Sequence, residues 1–385
     1  MTSSRRASRG RDPVQVGRPK LPSTKALLQY LPRIDETRMY TNHGPLLAEF
    51  QVRVCELLDL PQGALVTAAS GTAAIIGAIL ATAGRARAER PLAFVPAFTY
   101  VATPFAVEQC GYQPYLLDVD ASTWALDPQR LLAHKALDSA GVIVPVAPFG
   151  RPLPWKPWKL FQEKTGVPVV IDAAAAFDLI AEKTAQYVNE IPVAMSFHAT
   201  KSLSTGEGGG VATTDLDLAN RTTQALNFGF HETSEARAAG INGKMSEYHA
   251  AVGLAELDEW PEKRTALKRV AERYQKHAAE ANIAEAILVA PHVSLSYTVF
   301  KARSASQSQA VGAALTQDGV EFRFWYRGGL HRQPYFSNVP HDDLSVTDRL
   351  AGELLGLPVA PDLDDATIAR IISAVVRGVN EAAGA

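Results

Sequence analysis

The sequence predicts an α/β protein with a mostly parallel sheet, helices on both faces of that sheet, and a smaller C-terminal α+β domain. Between about residues 25 and 260, short apolar runs typical of strands alternate with helical stretches, an order that favours parallel strands joined by helices. A long, charged, amphipathic stretch at 256–281 suits a connection between two domains. The shorter strand-like runs and the last helical stretch beyond it predict the smaller domain.

Local patterns place the individual elements. Apolar β-branched runs predict strands at 92–95, 113–117, 141–146, 167–171, 293–301 and 320–326. Helical patterns occur at 155–165 and 365–382. The chain has 385 residues, 47% of them apolar, which is enough for two domains. We expect a large domain at 25–260 and a small one at 261–385.

The first 24 residues differ from the rest in composition. Their cations lie among Ser, Gly and Pro, which predicts a disordered tail: Arg5, Arg6, Arg9, Arg11, Arg18 and Lys20. The formal net charge of the chain is −2, so no nucleic acid partner is expected. The sequence has no secretory signal and no run of about 20 apolar residues, which predicts a cytoplasmic protein without a membrane partner. The nine histidines lack metal-ligand spacing, so no metal site is expected.

Lys201 is the first candidate for chemistry. It lies between Thr200 and Ser202, and four of the residues at 206–210 are glycines. Glycine allows the backbone to approach a bound group closely. A lysine with few acidic neighbours can lose its proton and form a Schiff base with an aldehyde. The alternative interpretation is an ordinary lysine in a surface loop.

Asp172 is the second candidate. It ends the apolar run at 167–171, which predicts a buried parallel strand that delivers this carboxylate at its C-terminal end. Ligands bind at that edge of open α/β sheets. If the aldehyde is pyridoxal phosphate, Asp172 is the acid that would keep the ring nitrogen protonated. The alternative role is an N-cap for the alanine-rich segment that follows.

A third candidate is the turn Ser70-Gly71-Thr72-Ala73, which leads directly into an apolar helical stretch. The N-terminus of a helix presents unpaired N–H groups and the positive end of the helix dipole. These four residues could therefore bind a phosphate. A simple helix cap is the alternative, because no nucleotide-binding glycine pattern accompanies the turn.

Together with the segment 94–103, these motifs resemble the DegT/DnrJ/EryC1/StrS family of sugar aminotransferases, which depend on pyridoxal phosphate and have the fold-type I architecture. The resemblance covers most of the chain, from Asn42-His43-Gly44-Pro45 to the Leu357–Pro361 region. It implies that Lys201 carries the cofactor as a Schiff base and that Asp172 pairs with its ring nitrogen. It further implies that Tyr100 lies over the ring, that Asn227 reaches the phosphate of a neighbouring subunit, and that the phosphate contacts are Gly71, Thr72 and Ser196.

The sequence departs from the family pattern at three places. Ala175 stands where a His or Gln commonly donates to the 3-hydroxyl oxygen of the cofactor, and alanine cannot donate. Lys244 stands where an arginine is usual, so a bidentate grip on an anion is not expected there. The segment 325–335 lacks a proline and has one extra residue relative to the family segment that shapes the sugar pocket.

The resemblance implies an aminotransferase that converts a nucleotide-linked keto sugar to an amino sugar for glycan or secondary-metabolite biosynthesis. Glutamate is the expected amino donor, and a homodimer with shared active sites is the expected assembly. Two alternatives remain. One is a sugar dehydratase of the same family, but there a histidine replaces the lysine. The other is a cofactor-binding regulatory protein without turnover, which only Ala175 supports.

Overall fold

A computed structural model of the protein describes residues 12–230, 234–326 and 328–384. Four cations of the predicted tail, Arg5, Arg6, Arg9 and Arg11, lie outside these ranges. The helices are α1 Thr24–Leu27, α2 Leu31–Thr37, α3 Pro45–Leu57, α4 Gly71–Thr82, α5 Ala102–Gln109, α6 Pro128–Leu131, α7 Trp155–Thr165, α8 Phe177–Ile180, α9 Thr184–Tyr187, α10 Leu216–Leu226, α11 Glu247–Glu280, α12 Ala305–Gln317, α13 Ser345–Glu353 and α14 Asp365–Ala383. The strands are β1 Leu65–Ala68, β2 Leu92–Pro96, β3 Gln113–Leu117, β4 Ala140–Ile143, β5 Ile171–Asp172, β6 Val193–Ser196, β7 Gly209–Ala212, β8 Ile287–Leu288, β9 Thr298–Lys301, β10 Arg323–Phe324 and β11 Leu354–Leu357.

The strands β1 to β7 form the central sheet, in two hydrogen-bonded parts. One part has the order β3-β2-β4 with parallel pairs, and the other has the order β1-β7-β6-β5. The parallel bridges Ile143↔Val169 and Val146↔Asp172 join the two parts. β7 is antiparallel to both β1 and β6, while β5 and β6 are parallel. The predicted mostly parallel sheet is confirmed.

Helices cover both faces of this sheet. Successive side chains of a strand point to opposite faces, so β2 places Phe94 in one apolar core and Val95 in another. Phe50 of α3 packs in the first core, and Ile75 of α4 packs in the second. The predicted two-faced arrangement is therefore observed.

The second unit has its own sheet and its own core. Its strands follow the order β10-β11-β9-β8, and every pair is antiparallel. α11 connects the two units as one continuous helix: Trp260 packs in the core of the large unit and Tyr274 in that of the small one. The predicted boundary at residue 260 falls inside this helix. Within the described ranges, no helix has the length and apolar content needed to cross a membrane.

Part of the basic segment at the N-terminus packs on the second unit. Val14 is buried, its N–H donates to the carbonyl oxygen of Gly319 at 2.9 Å, and its own carbonyl accepts from the N–H of Glu321 at 2.8 Å. Arg18 forms an ion pair with Asp362. From residue 12 onward the segment is thus more ordered than its composition predicts, because the apolar side chain of Val14 packs in the core of the second unit.

The segment Asn42-His43-Gly44-Pro45 meets the start of α11 at the N-terminus of α3. Glu247 is 1% exposed, and its carboxylate oxygens accept from the backbone N–H groups of Leu46 and Leu47 at 2.8 and 2.9 Å. A helix N-terminus has unpaired N–H groups and favours negative charge. A Cβ atom at Gly44 would lie 2.5 Å from Cδ of Glu247, so a larger residue does not fit there. This contact fixes α3 against the start of α11.

We expect Glu247→Ala to lower the free energy of unfolding by about 3 kcal/mol, because it leaves two buried N–H groups without their charged acceptor. Glu247→Gln keeps one acceptor oxygen and should cost roughly half as much. Urea unfolding measures both. The control is Glu259→Ala, which removes an exposed carboxylate of the same helix and should change the free energy by less than about 0.5 kcal/mol. Equal effects of Glu247→Ala and Glu259→Ala would refute the capping role.

Candidate active site

Asp172 lies at the C-terminal end of β5, at the edge where parallel strands place their ligands. It is 4% exposed. One carboxylate oxygen accepts from the hydroxyl of Thr103 at 2.7 Å, and the other accepts from the N–H of Ala174 at 3.0 Å. The hydroxyl of Thr103 also lies 3.0 Å from that of Thr99. Two hydroxyl residues near the start of α5 therefore hold this carboxylate in one orientation.

Burial raises the pKa of Asp172, and the hydrogen bonds from Thr103 and Ala174 and the charge of Lys201 only partly oppose that rise. A buried carboxylate is costly unless a cation or hydrogen-bond donors stabilise it. A protonated ring nitrogen next to Asp172 would supply such a cation. The electrostatics of this group therefore fit a heterocyclic cofactor.

Lys201 lies in the hairpin that connects β6 and β7. The backbone N–H of Lys201 donates to the carbonyl oxygen of His198 at 2.8 Å. The backbone N–H of Thr205 donates to the carbonyl oxygen of Phe197 at 2.8 Å. Gly206 has a φ of 85°, a backbone conformation that favours glycine. The side chain of Lys201 is half-buried, and its Nζ lies 3.5 Å from the hydroxyl oxygen of Tyr297. The hairpin thus presents the amine to the space between the two units.

The predicted phosphate site is a tight turn at the start of α4. Ser70 is the N-cap, and its hydroxyl oxygen accepts from the N–H of Ala73 at 3.1 Å. A Cβ atom at Gly71 would lie 2.7 Å from Cβ of Ser196, and one at Gly209 would lie 2.5 Å from the carbonyl oxygen of Ser70. The two glycines let β6, β7 and the helix start come together. Because Ser70 takes the N–H of Ala73, the backbone donors of Gly71 and Thr72 are the better candidates for a phosphate.

Two tyrosines near the reaction centre were not among the predicted site residues. Tyr297 approaches Lys201 from 96 residues away in the chain. Burial raises the pKa of Tyr326, and the charges of Tyr297 and Asp172 act in the same direction. The rings of Phe98 and Tyr326 pack edge to face at 5.0 Å. Tyr326 falls in the segment 325–335 that resembles the family's pocket segment, whereas no local pattern marks Tyr297, which tertiary packing alone brings to the site.

Two predicted site residues, Tyr100 and Asn227, differ from the others in exposure and in position. Tyr100 is 63% exposed, and its carbonyl oxygen accepts from the N–H of Thr103 at 3.3 Å, which places its backbone close to the residue that holds Asp172. Asn227 is half-buried at the C-terminal end of α10 and forms a bridge with Asn242. The structure thus brings together Asp172 and Lys201, and the turn at 70–73 with Ser196. Asn227 lies in a separate loop.

Within the part of the chain that the structure describes, no group of three or more His, Cys, Asp or Glu side chains is arranged to hold a metal ion. His198, next to the hairpin lysine, is hydrogen bonded to Thr200, with 2.8 Å between its Nδ1 and the hydroxyl oxygen. The arrangement as a whole offers an amine for an aldehyde, a carboxylate for a cationic ring nitrogen, and a helix start for a phosphate. These are the contacts that a phosphorylated aldehyde cofactor requires.

Comparisons with known proteins agree with this arrangement. The model of the DegT/DnrJ/EryC1/StrS aminotransferase family matches residues 23–376. Protein Rv3402c of Mycobacterium tuberculosis is 30% identical over 93% of this chain and 88% of its own length. UDP-2-acetamido-2-deoxy-3-oxo-D-glucuronate aminotransferase of Pseudomonas aeruginosa is 30% identical over 73% of this chain and 77% of its own. The crystal structure of DesI in the presence of its TDP-sugar product has a TM-score of 0.84 and 30% identity, and covers 98% of this chain and 97% of its own.

Proposed function

The chain belongs to the DegT/DnrJ/EryC1/StrS aminotransferase family and is a pyridoxal-phosphate-dependent aminotransferase, and from that premise we propose that it transfers the amino group of glutamate to a keto sugar linked to a nucleotide. The products are 2-oxoglutarate and the corresponding amino sugar. The predicted family and fold class are confirmed by the family match and by the structural similarity to DesI.

One observation carries the proposal: the edge of a parallel sheet holds the buried Asp172 within electrostatic reach of Lys201. The choice of substrate is supported by the relatives, because one is named for a UDP-linked keto sugar and another was crystallised with a TDP-sugar product. The lysine at position 201 disfavours the dehydratase alternative, in which histidine replaces it.

Each group of the site has a proposed task. Bound pyridoxal phosphate supplies an electron-withdrawing ring that stabilises negative charge on the neighbouring substrate carbon. Asp172 holds the proton on the ring nitrogen, and the start of α4 with Ser196 binds the phosphate. Lys201 would hold the aldehyde of the cofactor, and its Nζ would hold and move a proton at the reaction centre. Tyr100 packs over the ring face.

We also propose a homodimer in which Asn227 completes the phosphate site of the other subunit. Large aromatic side chains are exposed next to Asn227 and at the start of α11, and exposed apolar surface of this kind marks interaction sites. Phe228, adjacent to Asn227, is 46% exposed, and Nζ of Lys244 lies 4.5 Å from the centre of its ring. Tyr40 and Tyr248 are likewise exposed and stack on each other, with 6.3 Å between ring centres.

Mixing two inactive variants tests the shared site. In a hybrid of Lys201→Ala and Asn227→Ala subunits, both defects fall in one site and the other site is intact. After full subunit exchange, we expect about a quarter of wild-type activity, because half of randomly paired dimers are hybrids with one working site. Absence of recovery after exchange, verified with differently tagged subunits, would mean that Asn227 serves its own subunit.

A turnover screen tests the proposed substrate class. The holoenzyme is incubated with glutamate and a panel of 3-keto and 4-keto nucleotide sugars, and the products are identified by mass spectrometry. We expect an amino sugar nucleotide from at least one panel member. A dehydrated sugar would favour the dehydratase alternative. No product from any member, together with a cofactor absorbance that glutamate does not change, would favour the regulatory alternative.

A further inference from the structure

A recess opens beside Lys201, between the two units. Its walls are the N-terminal segment 16–20, the hairpin residues 199–201, part of α11, the loop before β9, and the backbone at 323–325 and 356–361. Five cationic side chains line it, and we call it the basic recess: Arg18, Lys20, Lys201, Lys263 and Arg323. Among the described residues that line it, none is an aspartate or glutamate.

Two of the five cations are neutralised by partners outside the recess. Arg18 is paired with Asp362, and Lys263 is paired with the buried Glu256. Lys20 and Arg323 have no such carboxylate partner among the described residues, and Lys201 is in contact with the neutral hydroxyl of Tyr297. The uncompensated positive charge of the recess is therefore that of Lys20, Lys201 and Arg323.

Arg323 is held in position although it is exposed. Its guanidinium carbon lies 5.8 Å from the centre of the Trp325 ring, within the range of a cation–π contact. Trp325 is itself fixed by neighbouring rings, at 5.5 Å from Tyr297 and 6.1 Å from Phe149 between centres. A Cβ atom at Gly356 would lie 2.3 Å from the indole nitrogen, so only glycine admits the indole there. An arginine positioned on a rigid aromatic surface loses little freedom when it binds an anion.

We propose that the basic recess binds the anionic oxygens of a substrate whose reacting carbon is at Lys201. The anionic group is a carboxylate or a phosphate. The guanidinium of Arg323 can bind such a group through two hydrogen bonds, and Lys20 can attract it as a point charge. Uncompensated cations grouped beside a reaction centre repel one another, and a bound anion removes that repulsion. The inference rests on the proposed function, which supplies two possible sources of the anion. These are the carboxylates of the amino donor and the diphosphate of the nucleotide sugar.

Binding to the holoenzyme, measured by calorimetry at low ionic strength, tests the recess without turnover. The probes are glutarate, a dicarboxylate that lacks a reactive amine, and uridine or thymidine 5′-diphosphate, which lack the sugar. We expect one probe class to bind, and Arg323→Gln to weaken it about 10-fold. The control Arg303→Gln removes an exposed cation of the same unit outside the recess and should leave binding unchanged. Lys20→Gln, at an exposed position, provides a second test if Arg323→Gln does not fold.

Which probe responds identifies the source of the anion. Weaker glutarate binding in Arg323→Gln assigns the recess to the amino donor, and the KM for glutamate should rise with it. Weaker binding of the nucleoside diphosphates assigns it to the nucleotide sugar. If no probe binds the wild type, or if neither Arg323→Gln nor Lys20→Gln changes binding, the recess is a solvated surface and the inference is wrong. Because this assay needs no product, it remains decisive even if no keto sugar is turned over.

Discussion

Replacement of Lys201 by alanine is expected to abolish the covalent link to the cofactor and to lower turnover by about 10⁴-fold or more, with the fold unchanged. The reason is that the half-buried side chain ends near one hydroxyl group, whereas the hairpin is held by backbone hydrogen bonds that alanine retains. The phosphate contacts proposed at the start of α4 do not involve the lysine, so the cofactor should still bind without a covalent bond.

Borohydride reduction followed by peptide mapping measures this link. The wild type should carry the reduced cofactor on the peptide that contains Lys201, and Lys201→Ala should carry none. The matched control is Lys301→Ala, which removes an exposed lysine of β9 and should be labelled like the wild type. Label on any other lysine would show that the reactive amine is assigned to the wrong residue.

Asp172→Asn is expected to keep cofactor binding and to lower turnover by several orders of magnitude. The amide oxygen of asparagine can still accept from the N–H of Ala174, and its NH2 can donate to the hydroxyl oxygen of Thr103, but the neutral amide cannot hold the ring nitrogen protonated. Steady-state kinetics and cofactor content measure the two effects separately. The control Asp118→Asn alters a carboxylate whose acceptor oxygens serve Val346 and Thr347, so turnover should remain near that of the wild type. Near-normal transamination by Asp172→Asn would place the ring acid elsewhere.

The same substitution has a consequence for stability in the protein without cofactor. Burial raises the folded-state pKa of Asp172, so above the unfolded-state value of about 4 the folded state binds more protons than the unfolded state. The stability that this carboxyl contributes is fully present below that pH and is lost as the pH rises through the folded-state pKa. Asp172→Asn does not titrate, so its melting temperature should fall less with rising pH than that of the wild type. Parallel pH profiles for the two proteins would contradict this.

Local patterns were enough to predict elements whose sequence carries a clear period. The stretch 155–165 was predicted as a helix and is α7, because its apolar side chains recur on one face. The turn at Ser70 was predicted to cap a helix and does so in the structure. The long helix was predicted from residue 256 but begins at Glu247, because its first turns are buried on most sides and show no amphipathic pattern.

The strands of the second unit were less predictable. The apolar run at 293–301 forms a strand only from Thr298, since Ser294 and Leu295 are held by hydrogen bonds to Phe149 and Asp178 in the large unit. The run at 320–326 is a strand only at Arg323 and Phe324, because Trp325 and Tyr326 pack into the aromatic cluster around Phe149. These contacts join residues far apart in the chain, and no local pattern encodes them.

The residues of the candidate site also differ in whether local sequence patterns predict them. Asp172 and the turn at 70–73 could be predicted because the end of a parallel strand and the start of a helix have recognisable patterns. Thr103 lies in a segment that was singled out, but its hydrogen bond to Asp172 depends on how α5 packs beside β5. Tyr297 and Arg323 reach the surroundings of Lys201 only through the packing of the second unit against the first.

Transfer of labelled nitrogen tests the proposed reaction most directly. The holoenzyme is given glutamate labelled with ¹⁵N and the keto sugar nucleotide that responds best in the turnover screen, and the products are analysed by mass spectrometry. The proposed function predicts an amino sugar nucleotide that carries the ¹⁵N label, and 2-oxoglutarate in equal amount. A sugar product without nitrogen, or an amino sugar without the label while glutamate remains unconsumed, would contradict it.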